Sequence, residues 1–314
     1  MDTRRIGSLD VSVVGLGCNN FGRRLDLART KDVVDAALDA GVTLLDTADI
    51  YGGSDSEVFL GRVLEGRRDR VVLATKFGAP MAGNDLAGGR PETVHAALDA
   101  SLKRLGMDHV DLYQLHFPDP DVPIAETIGA LTDEVRAGRI REFGVSNLSA
   151  EQLREAVAAS RDDGPRVVSL QNEYSLLRRE AEREVLPACR EEGVAFLPYF
   201  PLLSGILTGK YRKDAPLPEG TRIRGNERWE GLLTDELLDA VERLAALAGE
   251  QGRELIDLAF AYLLAEPSVA SVIAGATSPE QLRRNVAAGA WRLDDATRNE
   301  VRALLDEVGE VAPR

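Results

Sequence analysis

The composition of this 314-residue chain is that of a large globular protein with an acidic surface. The chain is 44% hydrophobic and 29% charged, and its 38 Lys and Arg against 52 Asp and Glu give a formal net charge of −14. Such a charge repels phosphate backbones and argues against a nucleic-acid partner. Cys18 and Cys189 are too few for a disulfide framework and match no metal-ligand spacing, so no metal is expected. The sequence shows neither the apolar stretch of a signal peptide nor an apolar run long enough to span a bilayer. It therefore predicts a cytoplasmic protein with no membrane partner.

Short apolar runs alternate with amphipathic stretches along the chain, and this alternation predicts the fold. Eight runs have the composition of strands buried on both faces: Val13–Gly17, Val42–Asp46, Val71–Lys76, Val110–His116, Ile140–Ser146, Val167–Asn172, Val194–Tyr199 and Val269–Ala274. Helical spacing of apolar residues occurs between them, as in Pro91–Leu105, Glu151–Ala159 and Glu254–Leu264. The pattern predicts an α/β fold, a (β/α)8 TIM barrel in which residues 1–314 form a single domain. A doubly wound sheet is the alternative, but no strand is followed by its G-x-G-x-x-G turn.

Three further features lie outside the alternation. Arg4–Ile6 and Val11–Val13 predict an N-terminal β-hairpin before the first barrel strand. Thr234–Leu247 and Asp294–Val308 have helical patterns and predict two extra helices. The Pro- and Gly-rich stretch from Pro201 to about Leu233 is too long for an ordinary connection and predicts a functional loop.

Ionisable residues end three consecutive predicted strands. These residues are Asp46, Lys76 and His116, and Tyr51 follows Asp46 by five positions. Each has a structural explanation when taken alone: Asp46 as a turn former, Lys76 as a side chain reaching solvent, His116 as a core histidine and Tyr51 as a packing residue. The carboxyl ends of barrel strands converge, however, so their coincidence predicts a proton-transfer cluster.

Seven stretches of the chain resemble the aldo-keto reductases: GVTLLDTADIYG, LATKF, DLYQLH, FGVSNLS, QNEYSLL, PYFPLLSGILTGKY and IAGATSPEQLRRN. They occur in the family's order, from about Gly15 to Asn285. The resemblance implies a barrel that binds a nicotinamide cofactor without a Rossmann domain. It implies NAD(P)H-dependent reduction of an aldehyde or ketone, a small carbonyl substrate, to an alcohol. It also implies that Asp46, Tyr51, Lys76 and His116 are the catalytic residues.

The chemistry of such a reduction suits these four residue types. Hydride arriving at a carbonyl carbon leaves charge on the oxygen, which requires a proton donor, here Tyr51. A phenol has a pKa of about 10 and would have to be more acidic to exchange protons easily near neutrality. An ammonium at ~4 Å in an effective dielectric of ~20 supplies about 4 kcal/mol, which predicts that Lys76 lowers this pKa by about three units. Asp46 would keep Lys76 charged, and His116 would position the carbonyl oxygen.

The resemblance also implies a set of cofactor contacts. Tyr199 would stack on the nicotinamide, while Ser146, Asn147 and Gln171 would hold its carboxamide, and the loop from Pro201 to Lys210 would wrap the pyrophosphate. The complete predicted cofactor-binding set is Gly17, Cys18, Asn19, Ser146, Asn147, Gln171, Tyr199, Phe200, Pro201, Leu202, Ser204, Gly205, Leu207, Lys210, Gly275, Thr277, Gln281, Arg284 and Asn285.

The adenosine end of this set departs from the family pattern. Ser278 predicts a helix N-cap, and a helix N-terminus favours an anion such as a phosphate on the adenosine ribose. Many family members carry a basic residue at one of three positions that are uncharged here, Gly275, Thr277 and Gln281. Arg284 is one of the nearest substitutes. NADP(H) is still predicted in preference to NAD(H).

Five residues are predicted to contact the substrate: Phe21, Tyr51, His116, Phe117 and Trp229. The loops Gly78–Arg90 and Leu217–Trp229 are predicted to shape this site, and a small aromatic or hydroxylated carbonyl compound is expected.

Two other classes of function compete with the reductase. A regulatory subunit of the same fold could bind the cofactor with little turnover, as some relatives that attach to membrane channels do. A Schiff-base aldolase could use Lys76, but Asp46 favours the charged ammonium over the neutral amine that such an enzyme requires. The oligomeric state has no signal in the sequence.

Overall fold

Ten β-strands appear in the computed structural model, which describes residues 1–80, 84–160, 164–213, 215–221 and 223–309. The strands are β1 (Thr3–Ile6), β2 (Leu9–Ser12), β3 (Val14–Gly17), β4 (Leu44–Asp46), β5 (Val72–Phe77), β6 (Val110–Leu115), β7 (Ile140–Ser146), β8 (Val167–Gln171), β9 (Ala195–Phe196) and β10 (Val272–Gly275). The last eight form one parallel sheet in the order β10-β3-β4-β5-β6-β7-β8-β9. Two loops are predicted to shape the substrate site. Residues 81–83 of the first loop and residue 222 of the second lie outside the described residues. Residues 310–314 at the end of the predicted domain also lie outside them.

Hydrogen bonds between β9 and the segment before β10 close the sheet into a barrel. The amide of Phe196 donates to the carbonyl of Ser268 at 2.7 Å, and the amide of Ala270 donates to the carbonyl of Phe196 at 2.9 Å. Phe196 also forms a parallel bridge with Val269. The predicted α/β barrel is therefore confirmed, and closure directs the carboxyl ends of all eight strands to one face.

Helices connect the strands and cover the outside of the barrel. They are α1 (Leu27–Asp39), α2 (Asp55–Val63), α3 (Pro91–Leu105), α4 (Ile124–Arg136), α5 (Ala150–Ala159), α6 (Val185–Glu192), α7 (Glu227–Glu230), α8 (Asp235–Glu250), α9 (Leu255–Leu264), α10 (Pro279–Ala288) and α11 (Asp295–Val308). The two extra helices predicted from the sequence are α8 and α11. Within the described ranges, no helix combines the length and apolar character that crossing a membrane demands.

The predicted hairpin is β1 paired with β2, and it closes the amino-terminal end of the barrel. Its apolar side chains Ile6, Leu9 and Val11 are buried in one cluster with barrel-interior residues such as Leu44 and Leu112. The guanidinium of Arg4 donates to the backbone carbonyls of Leu264, at the end of α9, and of Glu266 and Val269 beyond it. The hairpin therefore covers this end of the barrel.

The seventh barrel strand is shorter than predicted. The run Val194–Tyr199 contains only two residues of regular strand, because Pro198 has no amide to donate to a neighbour. Hydrogen bonds continue past it, from Leu197 to the carbonyl of Leu170 at 2.9 Å and from Tyr199 to the carbonyl of Asn172 at 3.1 Å. The interruption leaves Tyr199 at the carboxyl end of the barrel.

Candidate active site

A large cleft opens at the carboxyl ends of the barrel strands. Its volume is about 1520 Å³, whereas a pocket for one small ligand has about 300–1,000 Å³. It extends from Tyr51 and His116 near the barrel axis to Arg284 and Asn285 on α10. The cleft therefore has room for a long ligand and a second, smaller one.

Lys76 and Asp46 form a buried ion pair beneath this cleft. The Nζ atom of Lys76 lies 2.7 Å from Oδ2 of Asp46 and donates a second hydrogen bond to the carbonyl of Thr47 at 2.8 Å. The other carboxylate oxygen, Oδ1, accepts from Nε2 of Gln171 at 2.9 Å. Lys76 is 1% exposed and Asp46 is 3% exposed. The two charges neutralise each other in the place where adjacent strands β4 and β5 end.

Tyr51 and His116 bring a phenol and an imidazole next to this ion pair. The ammonium of Lys76 lies 5.1 Å from the centroid of the Tyr51 ring. The rings of Tyr51 and His116 are 6.0 Å apart, edge to face, and both line the cleft. The Nδ1 atom of His116 is buried and makes no hydrogen bond with any described residue. An oxygen atom of a ligand in this part of the cleft can approach both rings.

The protonation states of these groups follow from burial and from their neighbours. Burial lowers the pKa of Lys76, but Asp46 and Tyr51 outweigh burial, so this pKa is raised and the ammonium stays charged. Burial, assisted by the charge of Lys76, lowers the pKa of His116 to about 3, so the imidazole is neutral at pH 7. Burial raises the pKa of Tyr51, and Lys76 opposes this only in part. The predicted lowering of the Tyr51 pKa is wrong, because the sequence argument left out the cost of burying a phenolate.

Polar groups line the cleft beside Tyr51 and His116. The hydroxyl of Tyr199 donates to Oδ1 of Asn147 at 2.7 Å, and Nδ2 of Asn147 donates to the carbonyl of His116 at 2.8 Å. Asn147 has a φ of +60°, a left-handed conformation that asparagine tolerates better than most residues. Ser146 and Gln171 line the same wall, and the buried Oγ of Ser146 makes no hydrogen bond with any described residue. This wall offers a flat ring, amides and a hydroxyl to a ligand.

Positive charge collects farther along the cleft. Burial lowers the pKa of Lys210, and the nearby charges of Arg24 and Arg284 lower it further. Gly205 has a φ of +95°, a conformation that favours glycine, and its backbone lies close to the ammonium of Lys210. The buried Oγ of Ser204 has no hydrogen-bond partner among the described residues. An anionic group such as a phosphate would suit this part of the cleft. It offers the charge of Lys210, the unpartnered hydroxyl of Ser204 and the backbone at Gly205.

The start of α10 forms the far end of the cleft. The Oγ of Ser278 accepts from the amide of Gln281 at 3.2 Å, which confirms the predicted N-cap. The amide and hydroxyl of Thr277 both donate to Oε1 of Gln281 at 2.9 Å. Nε of Arg284 donates to Glu254 at 3.1 Å. Arg284, the basic side chain of the predicted cofactor-binding set at this end, is therefore already paired with a carboxylate.

The structure brings most of the predicted site residues to this single cleft. Those that line it are Gly17, Asn19, Asp46, Tyr51, His116, Phe117, Ser146, Asn147, Gln171, Tyr199, Phe200, Pro201, Leu202, Ser204, Gly205, Lys210, Gly275, Thr277, Gln281, Arg284 and Asn285. Lys76 lies just beneath. Cys18, Phe21 and Leu207 are fully buried in the core between the barrel and its helices, and Trp229 packs against that core and against Phe200.

Some residues of the cleft have no counterpart in the sequence interpretation. Arg24 donates to the carbonyl of Gly220 at 2.7 Å across 196 positions of sequence. Thr221, which lines the cleft beside it, belongs to the predicted loop Leu217–Trp229. Glu173 accepts from Nη1 of the buried Arg178 at 2.8 Å. Glu173 directly follows a predicted strand, so the rule that strand ends carry site residues could have found it. Arg24 has no comparable local signal.

A second buried carboxyl group, Asp49, lies in the turn between Asp46 and Tyr51. Asp49 is 6% exposed, and its Oδ1 makes no hydrogen bond with any described residue. Burial and the charge of Glu57 raise its pKa to about 7, although Arg104 and Lys76 oppose them. An aspartate has a pKa of about 3.9 in an unfolded chain. Asp49 therefore binds its proton more tightly in the folded protein.

This difference predicts that Asp49→Asn stabilises the protein in a pH-dependent way. Since the pKa is raised on folding, ionised Asp49 destabilises the fold above pH 7, and the penalty disappears as the pH falls towards 4. We expect Asp49→Asn to melt several degrees above the wild type at pH 8 and close to it at pH 4. Thermal unfolding at both values, with the exposed Asp121→Asn as control, makes the comparison. The same difference in melting temperature at both pH values would show that the charge of Asp49 does not cause the stabilisation.

The fold and the cleft together define a class of protein. They describe a closed β/α barrel whose strand ends present an ion pair, a phenol and a neutral imidazole beside a long cleft. Basic side chains lie farther along this cleft.

Comparison with known proteins identifies the family. The model of the Aldo/keto reductase family matches residues 13–306. Aldo-keto reductase YhdN of Bacillus subtilis is 34% identical over 308 residues, covering 95% of this chain and 91% of that protein. Aldo-keto reductase yakc [NADP(+)] of Schizosaccharomyces pombe is 35% identical over 324 residues, covering 99% and 94%. The structure of the glycerol dehydrogenase AKR11B4 from Gluconobacter oxydans superposes with a TM-score of 0.85 at 27% identity, covering 100% and 98%.

The chain belongs to the aldo/keto reductase family. Members of this family are oxidoreductases that interconvert carbonyl compounds and alcohols with nicotinamide cofactors.

Proposed function

We propose that this protein reduces an aldehyde or ketone to an alcohol with NAD(P)H, and that residues 1–314 act as one barrel domain. The observation that carries the proposal is the contact series Asp46–Lys76–Tyr51, which ends at the cleft beside His116. It supports the proposal because Tyr51, with the ammonium of Lys76 close to its ring, lines a part of the cleft that a ligand oxygen could enter. The names of the relatives support this activity.

Tyr51 is the general acid of the proposed reaction. A bound reduced nicotinamide would supply the hydride to the carbonyl carbon. The alkoxide that develops on the oxygen is a far stronger base than a phenolate, so Tyr51 donates its proton even though burial raises its pKa. The raised pKa also keeps Tyr51 protonated before the reaction. Lys76 stabilises the phenolate that forms, and Asp46 holds Lys76 charged.

His116 orients the carbonyl group. Its neutral imidazole can donate one hydrogen bond to the oxygen without adding a proton that would compete with that of Tyr51. The ring is fixed by stacking on Phe117, with centroids 5.0 Å apart. Two donors on one oxygen position the carbonyl and stabilise the charge that develops on it.

The cleft residues fit a dinucleotide. The hydroxyl of Ser146, the amides of Asn147 and Gln171 and the ring of Tyr199 would hold the nicotinamide end. Lys210, with Ser204 and Gly205, would hold the pyrophosphate, and the α10 N-terminus would receive the adenosine end. The bare hydroxyls of Ser146 and Ser204 support this assignment, because buried polar groups are usually satisfied by a partner.

NADP(H) is the proposed cofactor in preference to NAD(H). The name of the Schizosaccharomyces pombe relative includes NADP(+), and three cations lie near the phosphate end of the cleft. Small aromatic or hydroxylated carbonyl compounds are the proposed substrates, since Tyr51, Phe117 and Phe200 line the cleft together with amide and hydroxyl groups. A cytoplasmic location remains a prediction.

Adding a charge at Thr277 tests where the ribose phosphate binds. We expect Thr277→Arg to tighten NADPH binding roughly tenfold more than NADH binding, because the guanidinium would form a charge-assisted hydrogen bond with the 2′-phosphate. Quenching of intrinsic fluorescence gives both dissociation constants. Thr277→Gln, which adds length without charge, is the control. Equal tightening of both cofactors would place the phosphate elsewhere.

The activity is tested by following oxidation of NADPH and NADH with nitrobenzaldehyde and with glyceraldehyde. We expect aldehyde-dependent oxidation that is faster with NADPH. Absence of turnover with both cofactors and with both kinds of aldehyde would exclude the proposed reductase. Tight binding without turnover would point instead to the regulatory-subunit alternative, which no observation specifically favours. The charged state of Lys76 argues against the aldolase, which requires a neutral amine.

A further inference from the structure

A glutamine inside the barrel, Gln114, has no role in the proposed reaction so far. It lies on β6 between Leu112 and His116, on the face that points into the barrel, and pairs in register with Lys76 on β5. Its side chain is fully buried. A buried primary amide costs stability unless both of its polar atoms have partners, so the contacts of Gln114 need an explanation.

The contacts of Gln114 all lead to Asp46. Its Nε2 donates to Oδ1 of Asp46 at 3.3 Å, and its Oε1 accepts from Nε2 of Gln171 at 3.5 Å. Gln171 donates to the same Oδ1 at 2.9 Å, whereas Lys76 holds Oδ2 at 2.7 Å. One carboxylate oxygen therefore meets two amides and the other meets the ammonium. This division fixes the rotation of the carboxylate about its terminal torsion, which is otherwise broad.

We propose that Gln114 is a positioning residue, which holds the Asp46 carboxylate in the rotation that keeps Oδ2 on Lys76. It acts through Asp46 and does not itself touch a ligand. Gln171 cannot do this alone, because Gln171 lines the cleft and its amide is also needed for a bound ligand. When Gln171 turns to the ligand, Gln114 is the amide that remains on Oδ1. The inference rests on the proposed function, since it concerns the charge that assists Tyr51.

Replacing Gln114 with methionine keeps the side chain length and removes the amide. We expect kcat to fall about tenfold while KM changes by less than about threefold, because orientation of Asp46 matters for the proton transfer and not for binding. The high-pH limb of the kcat profile should move to lower pH by about half a unit or more, since a carboxylate that can rotate away from Nζ keeps Lys76 protonated less effectively. Leu112→Met, two residues earlier on the same face, controls for repacking of the barrel interior.

A double-mutant cycle on stability gives a second readout that needs no turnover. Gln114→Met and Asp46→Asn, alone and combined, are unfolded in urea. If the two side chains interact, the effects on the unfolding equilibrium constant should deviate from additivity by about threefold or more. If Gln114→Met does not fold, Gln114→Leu takes its place in both experiments.

The outcomes separate this inference from the proposed function. A fall in kcat with a shifted pH limb, absent in Leu112→Met, supports the positioning role. An unchanged pH profile of kcat, together with additive effects of the two substitutions on stability, overturns the positioning role. If the wild type turns over no carbonyl compound, the proposed function fails. The double-mutant cycle on stability then tests the inference alone. Additive effects of Gln114→Met and Asp46→Asn contradict the positioning role of Gln114, and non-additive effects support it.

Discussion

Tyr51→Phe is expected to lose carbonyl reduction almost completely while it still binds the cofactor. The substitution removes one hydroxyl group, and general-acid catalysis of this kind typically contributes ~10²–10⁴-fold to the rate. We therefore expect kcat to fall by about a thousandfold. The dissociation constant of NADPH should change by less than about twofold, because the lost hydroxyl serves the substrate oxygen. Steady-state turnover and fluorescence titration of the cofactor measure the two quantities.

Tyr113→Phe is the matched control for this experiment. Tyr113 is fully buried, and its hydroxyl faces the helix side of β6 and donates to the carbonyl of Val94 at 3.4 Å. Its loss should leave kcat within about twofold of the wild type. Retention of more than a tenth of wild-type turnover in Tyr51→Phe would remove Tyr51 from the role of acid.

Lys76→Met is expected to damage both activity and stability, for separable reasons. Activity falls because the phenolate of Tyr51 loses the ammonium 5.1 Å from its ring centroid, and we expect a loss of at least about a hundredfold in kcat. Stability falls because Asp46, 3% exposed, is left charged without its cation. Removing one partner of a buried ion pair typically costs about 3–5 kcal/mol. Turnover and urea unfolding measure the two effects.

The double variant Asp46→Asn/Lys76→Met separates the two roles of the pair. With both charges gone, no uncompensated ion is buried, and we expect much of the unfolding free energy to return. Turnover should remain as low as in Lys76→Met, because no cation stands beside Tyr51. If turnover recovers together with stability, the ion pair serves only to hold the fold, and the mechanism proposed for Lys76 is wrong.

The sequence predicted the barrel well because barrel strands and helices have strong local signals. Buried parallel strands appear as unbroken apolar runs, and Pro91–Leu105 appears in the structure with the predicted bounds. The cluster of Asp46, Tyr51, Lys76 and His116 was also predictable, since the carboxyl ends of strands meet in any such barrel. Pro198 indicates that the seventh strand is interrupted, but the prediction followed the length of the apolar run and did not take this proline into account.

The loops and the electrostatics were harder to predict. The residues that follow a strand can turn towards the cleft or away from it, and no periodicity shows which, so the burial of Phe21 had no signal. Arg24 meets Gly220 across the cleft through the tertiary fold alone. Gln114 was detectable, because alternation along β6 places it on the face of His116. The pKa of Tyr51 could not be predicted, because the extent of its burial depends on the complete structure.

Transfer of hydrogen from cofactor to substrate is the most direct test of the central claim. Wild-type protein is incubated with an aldehyde and NADPH that carries deuterium at the transferable position, and the alcohol is analysed by mass spectrometry. The proposed function predicts one deuterium at the carbinol carbon of each alcohol formed, in equal amount to the NADPH consumed. Alcohol without deuterium, or NADPH oxidation without alcohol, would contradict carbonyl reduction by hydride transfer in this cleft.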